Sequence, residues 1–536
     1  MGTRGLAWRD RGLAVLAGLA AALAHPPFGL LPGLLGYGLM LWLLDRAADG
    51  PRPLRSAFLR GWLAGSAYFT LSTWWIAEAF FVDAANQGWM APFAVTFMAI
   101  GLALFWGAAG VLYRLLKPRG VTRVLAFAGC LALFEWLRGH VFTGFPWNLP
   151  GETWRAGSAP SQFASVVGAY GLTWITVAIA ATAGLAPRRG RPELAAYGVA
   201  LAALVGLYGY GAARGEAPPA KAEAPVIRIV QADVKQVDKY NQRVFEDIVH
   251  RYVALTLQPP AEGRPLPQII IWPEGAIPAA VNDYLAPGTW TRQAIQDALQ
   301  PGQVLMLGAY RVEGGLDKPV YYNTFLVLRR TADGLELLST YDKHRLVPFG
   351  EYLPAEGALT AIGFKTLTHI GEGFSAGPKP RAITPAGLPA LQPLICYESL
   401  FPGFTREGIK AGGARPAAII NVSNDAWYGF TSGPLQNLNI SSYRAIEEGV
   451  PMLRSTPTGV SAVVDSFGRI RVGERLELGV SGIIDARLPA VGRITTYSRL
   501  GDAALWLFLL ISSLFGAWPS VASLLKRPDY PAPRGA

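Results

Sequence analysis

The sequence predicts an α-helical membrane protein that carries one polar α/β domain. Of its 536 residues, 51% are hydrophobic and only 16% are charged, which is too apolar for an ordinary soluble enzyme of this length. Apolar segments fill the chain before about residue 213 and return near residues 503–521. Between them, residues 225–490 carry 25 basic and 25 acidic residues and contain short β-type runs.

Seven apolar segments precede the polar part and one follows it, and a membrane span needs about 20 residues. The segments cover roughly residues 13–24, 30–44, 61–81, 89–113, 124–137, 163–186, 194–212 and 503–521. We therefore expect an eight-helix transmembrane bundle. Its parts are seven spans in residues 1–220, a polar domain in residues 221–495, and an eighth span with a cytoplasmic tail in residues 496–536. The first segment is interpreted as a retained anchor and not a signal peptide, because no small-residue cleavage site precedes a polar mature start.

The basic residues outside the polar domain predict the orientation. They occupy alternate connections, at Arg4, Arg9, Arg11, Arg46, Arg52, Arg55, Arg60, Arg114, Lys117, Arg119, Arg123, Arg188, Arg189, Arg191, Lys526 and Arg527. The opposite loops, residues 25–29 and 82–88, carry no Lys or Arg. By the positive-inside rule both termini are cytoplasmic and the polar domain is outside, which in a bacterium means the periplasmic side of the inner membrane. No motif for nucleic-acid binding accompanies the net charge of +11.

Apolar β-type runs alternate with helical patterns in the polar domain and predict a sheet that is covered on its faces. These runs begin near residues 226, 268, 304, 321, 391 and 417, and later candidates are RSTPTG, GVSAVVDSFG and VSGIIDA. No metal-binding cluster of His and Cys is visible in the sequence. The two cysteines, Cys130 and Cys396, do not indicate a disulfide framework, and Cys396 is expected to be a free thiol.

Two aromatic segments of the membrane part allow two interpretations. Residues 134–151, FEWLRGHVFTGFPWNLPG, contain Glu135 and Arg138. They form either an interfacial aromatic belt with an ion pair, or a surface that receives a lipid headgroup or supports the polar domain. For Trp74, Trp75 and Glu78, belt and packing are favoured.

Three predicted strand ends carry reactive side chains. Glu274 lies in WPEGAIP, Lys343 in YDKHRLVPFGEYLP and Cys396 in ICYESLFP, each at or just after the end of a predicted strand. Separately, each has a simpler explanation, as a helix cap, a solvated lysine and a small buried side chain. Together they suit acyl transfer, because a thiol needs a base and the developing oxyanion needs a cation. The backbone N–H of Tyr397 is a further candidate for binding that oxyanion.

The order WPE, then DKxxLVPFGEYLP, then CYE resembles the nitrilase superfamily with its Glu-Lys-Cys triad. LVPFGEYLP, ICYESLFP and NVSNDAWYG look like the apolipoprotein N-acyltransferase family in particular, and the likeness covers nearly the full chain. The resemblance implies an αββα sandwich, with Glu274 as general base, Lys343 as oxyanion stabiliser and Cys396 as nucleophile.

The same resemblance implies further roles around the triad. Glu351, Glu398 and Tyr397 are expected to support it, and three aromatic residues are expected to form the substrate pocket or its rim: Trp427, Tyr428 and Trp147. The alternative is that the aromatic residues only pack and that Glu351 pairs with Arg345.

The implied reaction transfers an acyl chain from a membrane phospholipid such as phosphatidylethanolamine to Cys396, and then to the α-amino group of a diacylglyceryl apolipoprotein. No cofactor is expected, and a monomer is the default. Apolar loops near residues 361–374 and 426–435 are expected to limit hydrolysis of the thioester. The alternatives are a membrane-tethered amidase that uses water as acceptor, and a non-catalytic membrane scaffold or transporter.

Overall fold

The N-terminal part of the computed structural model is a bundle of apolar helices, and the structure describes residues 7–186, 190–315, 317–354 and 373–525. The helices of this part are Trp8–Leu23, Leu35–Arg46, Pro53–Thr73, Ala77–Phe81, Ala84–Gln87, Ala91–Leu116, Arg123–His140, Ala164–Ala181 and Arg191–Ala213. A short helix, Thr496–Leu500, and the helix Ala503–Leu525 follow the polar domain. The last helix packs against Arg123–His140 and Ala164–Ala181, so the chain returns to the same bundle.

Small residues let these helices approach closely. On the helix Pro53–Thr73, a Cβ added to Gly61 would lie 2.4 Å from the carbonyl oxygen of Trp106 on the facing helix. Close backbone approach at small residues is typical of helix packing in membranes, because lipid supplies no hydrophobic force between helices. The sequence therefore favours tight helix pairs in this part.

Among the described residues, four helical segments are long and apolar enough to cross a membrane: Ala84–Leu116, Gly120–Thr143, Pro160–Leu185 and Arg191–Ala213. Ala503–Phe515 is a shorter apolar helix. The predicted segment 61–81 is interrupted, since its helix ends at Thr73 and a 3₁₀ turn, Trp74–Ile76, precedes the next helix.

The polar domain contains two sheets. Its strands are β1 Val226–Gln231, β2 Ile269–Trp272, β3 Val304–Glu313, β4 Val320–Arg330, β5 Leu335–Asp342, β6 Leu391–Ile395, β7 Ala418–Val422, β8 Met452–Ser455, β9 Ser461–Val464, β10 Ile470–Leu476 and β11 Gly482–Arg487. One sheet has the order β11-β1-β2-β3-β4-β5, and the other has the order β10-β9-β8-β7-β6. β5 and β10 are additional to the strands that the sequence indicated.

The two sheets pack face to face, and helices cover their outer faces. Ile229 and Ile271 of one sheet share a buried apolar cluster with Ile395, Val422 and Leu453 of the other. Helices Phe245–Leu257 and Trp290–Asp297 contribute to the core on the outer face of the first sheet, and Phe404–Gly412 and Gly433–Glu448 to that of the second. The αββα sandwich expected from the sequence is confirmed.

Candidate active site

The three reactive side chains of the sequence motifs meet at one edge of the sandwich. Glu274 follows β2, Lys343 follows β5 and Cys396 follows β6, and all three are at least 90% buried. Lys343 Nζ lies 3.4 Å from Glu274 Oε1, and the charges of both residues act on the Cys396 thiol. The geometry thus joins residues that stand far apart in the chain.

The carboxylate of Glu274 is held from several sides. Its Oε1 accepts a hydrogen bond of 2.7 Å from Asn323 Nδ2, and its Oε2 accepts one of 2.7 Å from the backbone N–H of Asn424. β3 approaches closely here, because a Cβ on Gly308 would lie 2.5 Å from Glu274 Cα. The absence of a side chain at Gly308 therefore lets the backbone after β2 reach the site.

Lys343 lies between two carboxylates. Its Nζ is 2.9 Å from Glu351 Oε1, and Asn323 Nδ2 donates to the same oxygen at 2.7 Å. Burial lowers the pKa of Lys343, but the charges of Glu274 and Glu351 raise it more, so its net pKa lies above the ordinary value. Lys343 is therefore a permanent ammonium. The expected alternative, an ion pair of Glu351 with Arg345, is not formed, and Arg345 instead donates to Thr143 O at 3.2 Å.

Cys396 is held in a backbone conformation that side chains rarely adopt. Its φ is +46°, in the left-handed region, where β6 turns into the 3₁₀ helix Cys396–Leu400. Burial, and next the charge of Glu274, raise the pKa of Cys396 to about 12, while Lys343 and a hydrogen bond with Ser423 act in the opposite direction. The resting group is therefore a neutral thiol, which needs a base before it can attack.

Glu398 positions the turn that bears Cys396. One carboxylate oxygen accepts from the backbone N–H of Ile395 at 2.8 Å, and the other accepts from the backbone N–H of His344 at 2.8 Å and from the Tyr341 hydroxyl at 3.0 Å. Burial raises the pKa of Glu398 to about 7, although these backbone hydrogen bonds lower it. Glu398 thereby ties the end of β6 to the segment that carries Lys343.

Aromatic residues from both parts of the molecule form one wall beside the thiol. Tyr428 lies close enough to Cys396 for the two groups to affect each other electrostatically, and its ring lies 4.5 Å from that of Trp75 and 5.9 Å from that of Trp147. The Tyr397 hydroxyl donates to Gly144 O at 2.5 Å. These contacts support the expected placement of Tyr397, Tyr428 and Trp147 near the site. Trp427, the fourth aromatic residue expected near the site, is partly buried and packs against the apolar cluster that contains Tyr397, Tyr428 and Trp147.

The loop 134–151 supports this wall. Glu135 and Arg138 form a buried ion pair, and Arg138 also donates to the carbonyl oxygen of Phe145. Phe145 stacks on Trp147 with the ring centroids 5.9 Å apart. The ion pair was part of the interfacial-belt interpretation, whereas support of the polar domain is favoured by two other contacts: Tyr397 donates to Gly144 O, and Trp147 Nε1 donates to Gln436 Oε1 at 3.0 Å.

Four residues of the site were not singled out from the sequence, although Ser423 and Asn424 lie within the NVSNDAWYG run. Asn323 bridges the two carboxylates, and Ser423 and Asn424 follow β7 beside the triad. Lys239 extends toward Glu274 from a segment after β1. Of the two loops expected to close the site, residues 361–372 lie outside the described residues. The other begins with the 3₁₀ helix Asp425–Tyr428.

Within the described ranges, both cysteines are free thiols and no group of three or more His, Cys, Asp or Glu could hold a metal ion. The described acid, ammonium and thiol can together supply a base, a cation and a nucleophile for acyl transfer.

The sequence matches two known families. Residues 17–182 match the apolipoprotein N-acyltransferase N-terminal domain, and residues 236–489 match the carbon-nitrogen hydrolase family. Among solved structures, an amidase from Nesterenkonia sp. AN1 is similar at 17% identity and a TM-score of 0.33, covering 53% of this chain and 98% of its own. The sandwich and the family match define a domain of the carbon-nitrogen hydrolase family that is joined to a helical N-terminal domain.

Similarity to individual relatives identifies the family of the whole chain more closely. The apolipoprotein N-acyltransferase of Caulobacter vibrioides is 59% identical and covers 95% of this chain and 94% of its own. Those of Rhizobium rhizogenes and Brucella melitensis are 40% and 39% identical, covering 92% and 90% of this chain and 91% and 90% of their own. The chain belongs to the apolipoprotein N-acyltransferase family.

Proposed function

We propose that this protein transfers an acyl chain from a membrane phospholipid to the N-terminal amino group of an S-diacylglyceryl-cysteine apolipoprotein, through a thioester on Cys396. The observation that carries the proposal is the buried group of Cys396, Glu274 and Lys343, walled by aromatic residues of the helical part. Membership of the family supports the choice of substrates.

In the first half of the reaction, Glu274 accepts the proton of the Cys396 thiol as the sulfur attacks the ester carbonyl of the phospholipid. A neutral thiol requires this base, since burial raises the pKa of Cys396 to about 12. The Lys343 ammonium, with the backbone N–H of Tyr397, stabilises the negative charge that develops on the carbonyl oxygen. The carbon–oxygen bond then breaks, Glu274 returns its proton to the leaving alkoxide, and a lysophospholipid departs.

In the second half, the α-amino group of the apolipoprotein attacks the thioester. Glu274 takes a proton from the attacking amine, and the same oxyanion site is used again. The carbon–sulfur bond breaks, and the thiol of Cys396 is regenerated with that proton. Glu351 and Glu398 keep Lys343 and the Cys396 turn in place, while Trp147, Trp427 and Tyr428 shape the pocket that receives the acyl chain.

The proposal places the active site at a membrane surface. Helix Arg191–Ala213 supports this, because only Leu207 and Gly211 of its apolar length are buried within the protein. We assign residues 1–220 to seven spans, 221–495 to the catalytic domain and 496–536 to an eighth span and tail. The catalytic domain would be periplasmic, both termini cytoplasmic and the protein a monomer in the inner membrane.

The proposal is tested by intact mass spectrometry of the purified protein after incubation with phosphatidylethanolamine. We expect a hydroxylamine-labile acyl adduct that a diacylglyceryl-cysteine peptide discharges faster than water does. Cys396→Ala should form no adduct, and the matched variant Cys130→Ala should form it normally, because Cys130 is a free thiol in the helical part. Absence of the wild-type adduct, or discharge by water as fast as by peptide, would refute the proposal.

A further inference from the structure

Lys239 places a second ammonium beside the active site. It lies in the 3₁₀ helix Val237–Tyr240, and its Nζ is buried with no hydrogen-bond partner among the described residues. A Cβ on Gly275 would lie 3.3 Å from this nitrogen, so the ammonium rests on the turn directly after Glu274. The Glu274 carboxylate acts electrostatically on it, and so does Cys396 when its thiol is ionised.

The segment that carries Lys239 is fixed to the site. Asn424 Nδ2 donates to Gln236 Oε1 at 2.9 Å, and the backbone N–H of Asn424 donates to Glu274 Oε2 at 2.7 Å. One residue therefore binds both the catalytic carboxylate and the segment before Lys239. These hydrogen bonds fix the position of the Lys239 ammonium relative to Glu274, as is not the case for a solvent-exposed lysine.

The electrostatics of Lys239 differ from those of Lys343. Burial lowers the pKa of Lys239 to about 8, although the Glu274 carboxylate, and Cys396 when ionised, favour its charged form. Lys343, in contrast, lies 2.9 Å from Glu351 and 3.4 Å from Glu274. A buried ammonium without a hydrogen-bond acceptor is costly, so Lys239 would gain more than Lys343 from an incoming anion.

Lys239 also borders a cavity of about 490 Å³. Arg243 contributes a second cation to the cavity wall and Glu246 contributes an acid, while Asn241 and Gln242 supply amides. The cavity therefore places polar groups and space beside the Lys239 residue, while Nζ itself is buried against the turn after Glu274.

We propose that Lys239 binds the phosphodiester of the phospholipid acyl donor. This inference rests on the proposed function. A phosphodiester is an anion at every working pH, and only the glycerol backbone separates it from the ester that Cys396 attacks. The diacylglyceryl-cysteine acceptor has no phosphate at the corresponding place. Lys239 therefore acts in the first half of the reaction and selects phospholipid over neutral esters.

The test compares two acyl donors in single-turnover thioester formation by the full-length protein. One donor is phosphatidylethanolamine, and the other is a p-nitrophenyl ester of the same acyl chain, which has no phosphate. For Lys239→Met, we expect the ratio of the phospholipid rate to the nitrophenyl ester rate to fall by about tenfold to hundredfold. Lys239→Arg should recover part of this ratio. Lys235→Met, an exposed lysine of the same segment, should keep the wild-type ratio.

Each other outcome has a defined meaning. An equal loss with both donors would show that Lys239 acts on the oxyanion or on Glu274, and an unchanged ratio would show that it binds no phosphate; either overturns the inference. Inorganic phosphate that slows wild type equally with both donors would assign the site to a free anion and also overturn it. If wild type forms no thioester with either donor, the proposed function itself fails. If only the nitrophenyl ester reacts, the phospholipid donor fails and the inference fails with it.

Discussion

Replacing Asn323 by Leu should slow acyl-enzyme formation strongly. Asn323 Nδ2 donates 2.7 Å hydrogen bonds to both Glu274 and Glu351, the two carboxylates that flank Lys343. Leu has a similar size but no donor. In Asn323→Leu the two carboxylates would therefore share only the Lys343 ammonium at this place, and Glu274 would lose one of the contacts that fix its orientation.

The size of the effect follows from these contacts. A hydrogen bond to a charged group contributes about 1.5–3 kcal/mol, and a buried group that loses it is left partly unsatisfied. Glu274 keeps its 2.7 Å bond from the Asn424 N–H and its contact with Lys343, so we take the loss of one such bond as the effective change. At about 1.4 kcal/mol per tenfold, thioester formation should slow by about 10-fold to 100-fold.

The assay is single-turnover thioester formation with phosphatidylethanolamine, followed by quenched-flow mass spectrometry. Asn282→Leu is the matched control, because Asn282 is exposed and, among the described residues, hydrogen-bonds only with the backbone of Val312, away from the triad. The control should react at the wild-type rate. A folded Asn323→Leu variant whose rate stays within about threefold of wild type would refute the reasoning that this amide orients the base.

Three further predictions follow from the surroundings of the nucleophile. In a Cys130→Ala background, alkylation of Cys396 by a small electrophile should accelerate about tenfold per pH unit up to about pH 10, because its pKa is raised to about 12; a plateau near pH 8 would contradict this. Glu398, whose pKa is raised from 4.5 to about 7, binds a proton in the folded state that the unfolded state releases between those values. The stability that this proton contributes, at most about 3 kcal/mol, is therefore present at about pH 4.5 and lost by about pH 7. The Tm of wild type minus that of Glu398→Gln should fall over this pH range, and a Tm difference that stays constant with pH would contradict the prediction. Tyr397→Phe leaves Gly144 O without its donor, so the free energy of unfolding should decrease by about 1–3 kcal/mol and the Tm measured in detergent should fall. A Tm equal to that of wild type would show that water replaces the hydroxyl.

The strands that the sequence did not reveal are edge strands. β5 and β10 stand at the ends of their sheets, so each has a neighbouring strand on one side only within the described part of the domain. Their sequences, LELLSTYD and IRVGERL, mix charged and apolar residues and lack the continuous apolar run of a buried parallel strand. The central strands β2 and β7 are fully buried and were apparent from composition alone.

The site was predictable where a motif marks a strand end. Glu274, Lys343 and Cys396 each follow a recognisable run, and the structure brings them together. Asn323 was not predictable, because an amide inside a strand carries no spacing signal and its partner Glu274 is 49 residues away. Glu398 was predictable in part, because a Glu three residues after Ile395 stands at the position of a capping-box acid.

The aromatic wall beside Cys396 has a consequence for how such a protein can change over time. Trp75 and Trp147 come from the helical part, and Tyr397 and Tyr428 come from the sandwich, yet all four belong to one buried cluster. A recombination event that replaced the sandwich by that of a distant relative would supply the reactive groups. The aromatic residues of the helical part, Trp75 and Trp147, would then no longer match the aromatic residues that they contact in the sandwich. The two parts must therefore be inherited as a matched pair, with substitutions on one side of the cluster compensated on the other.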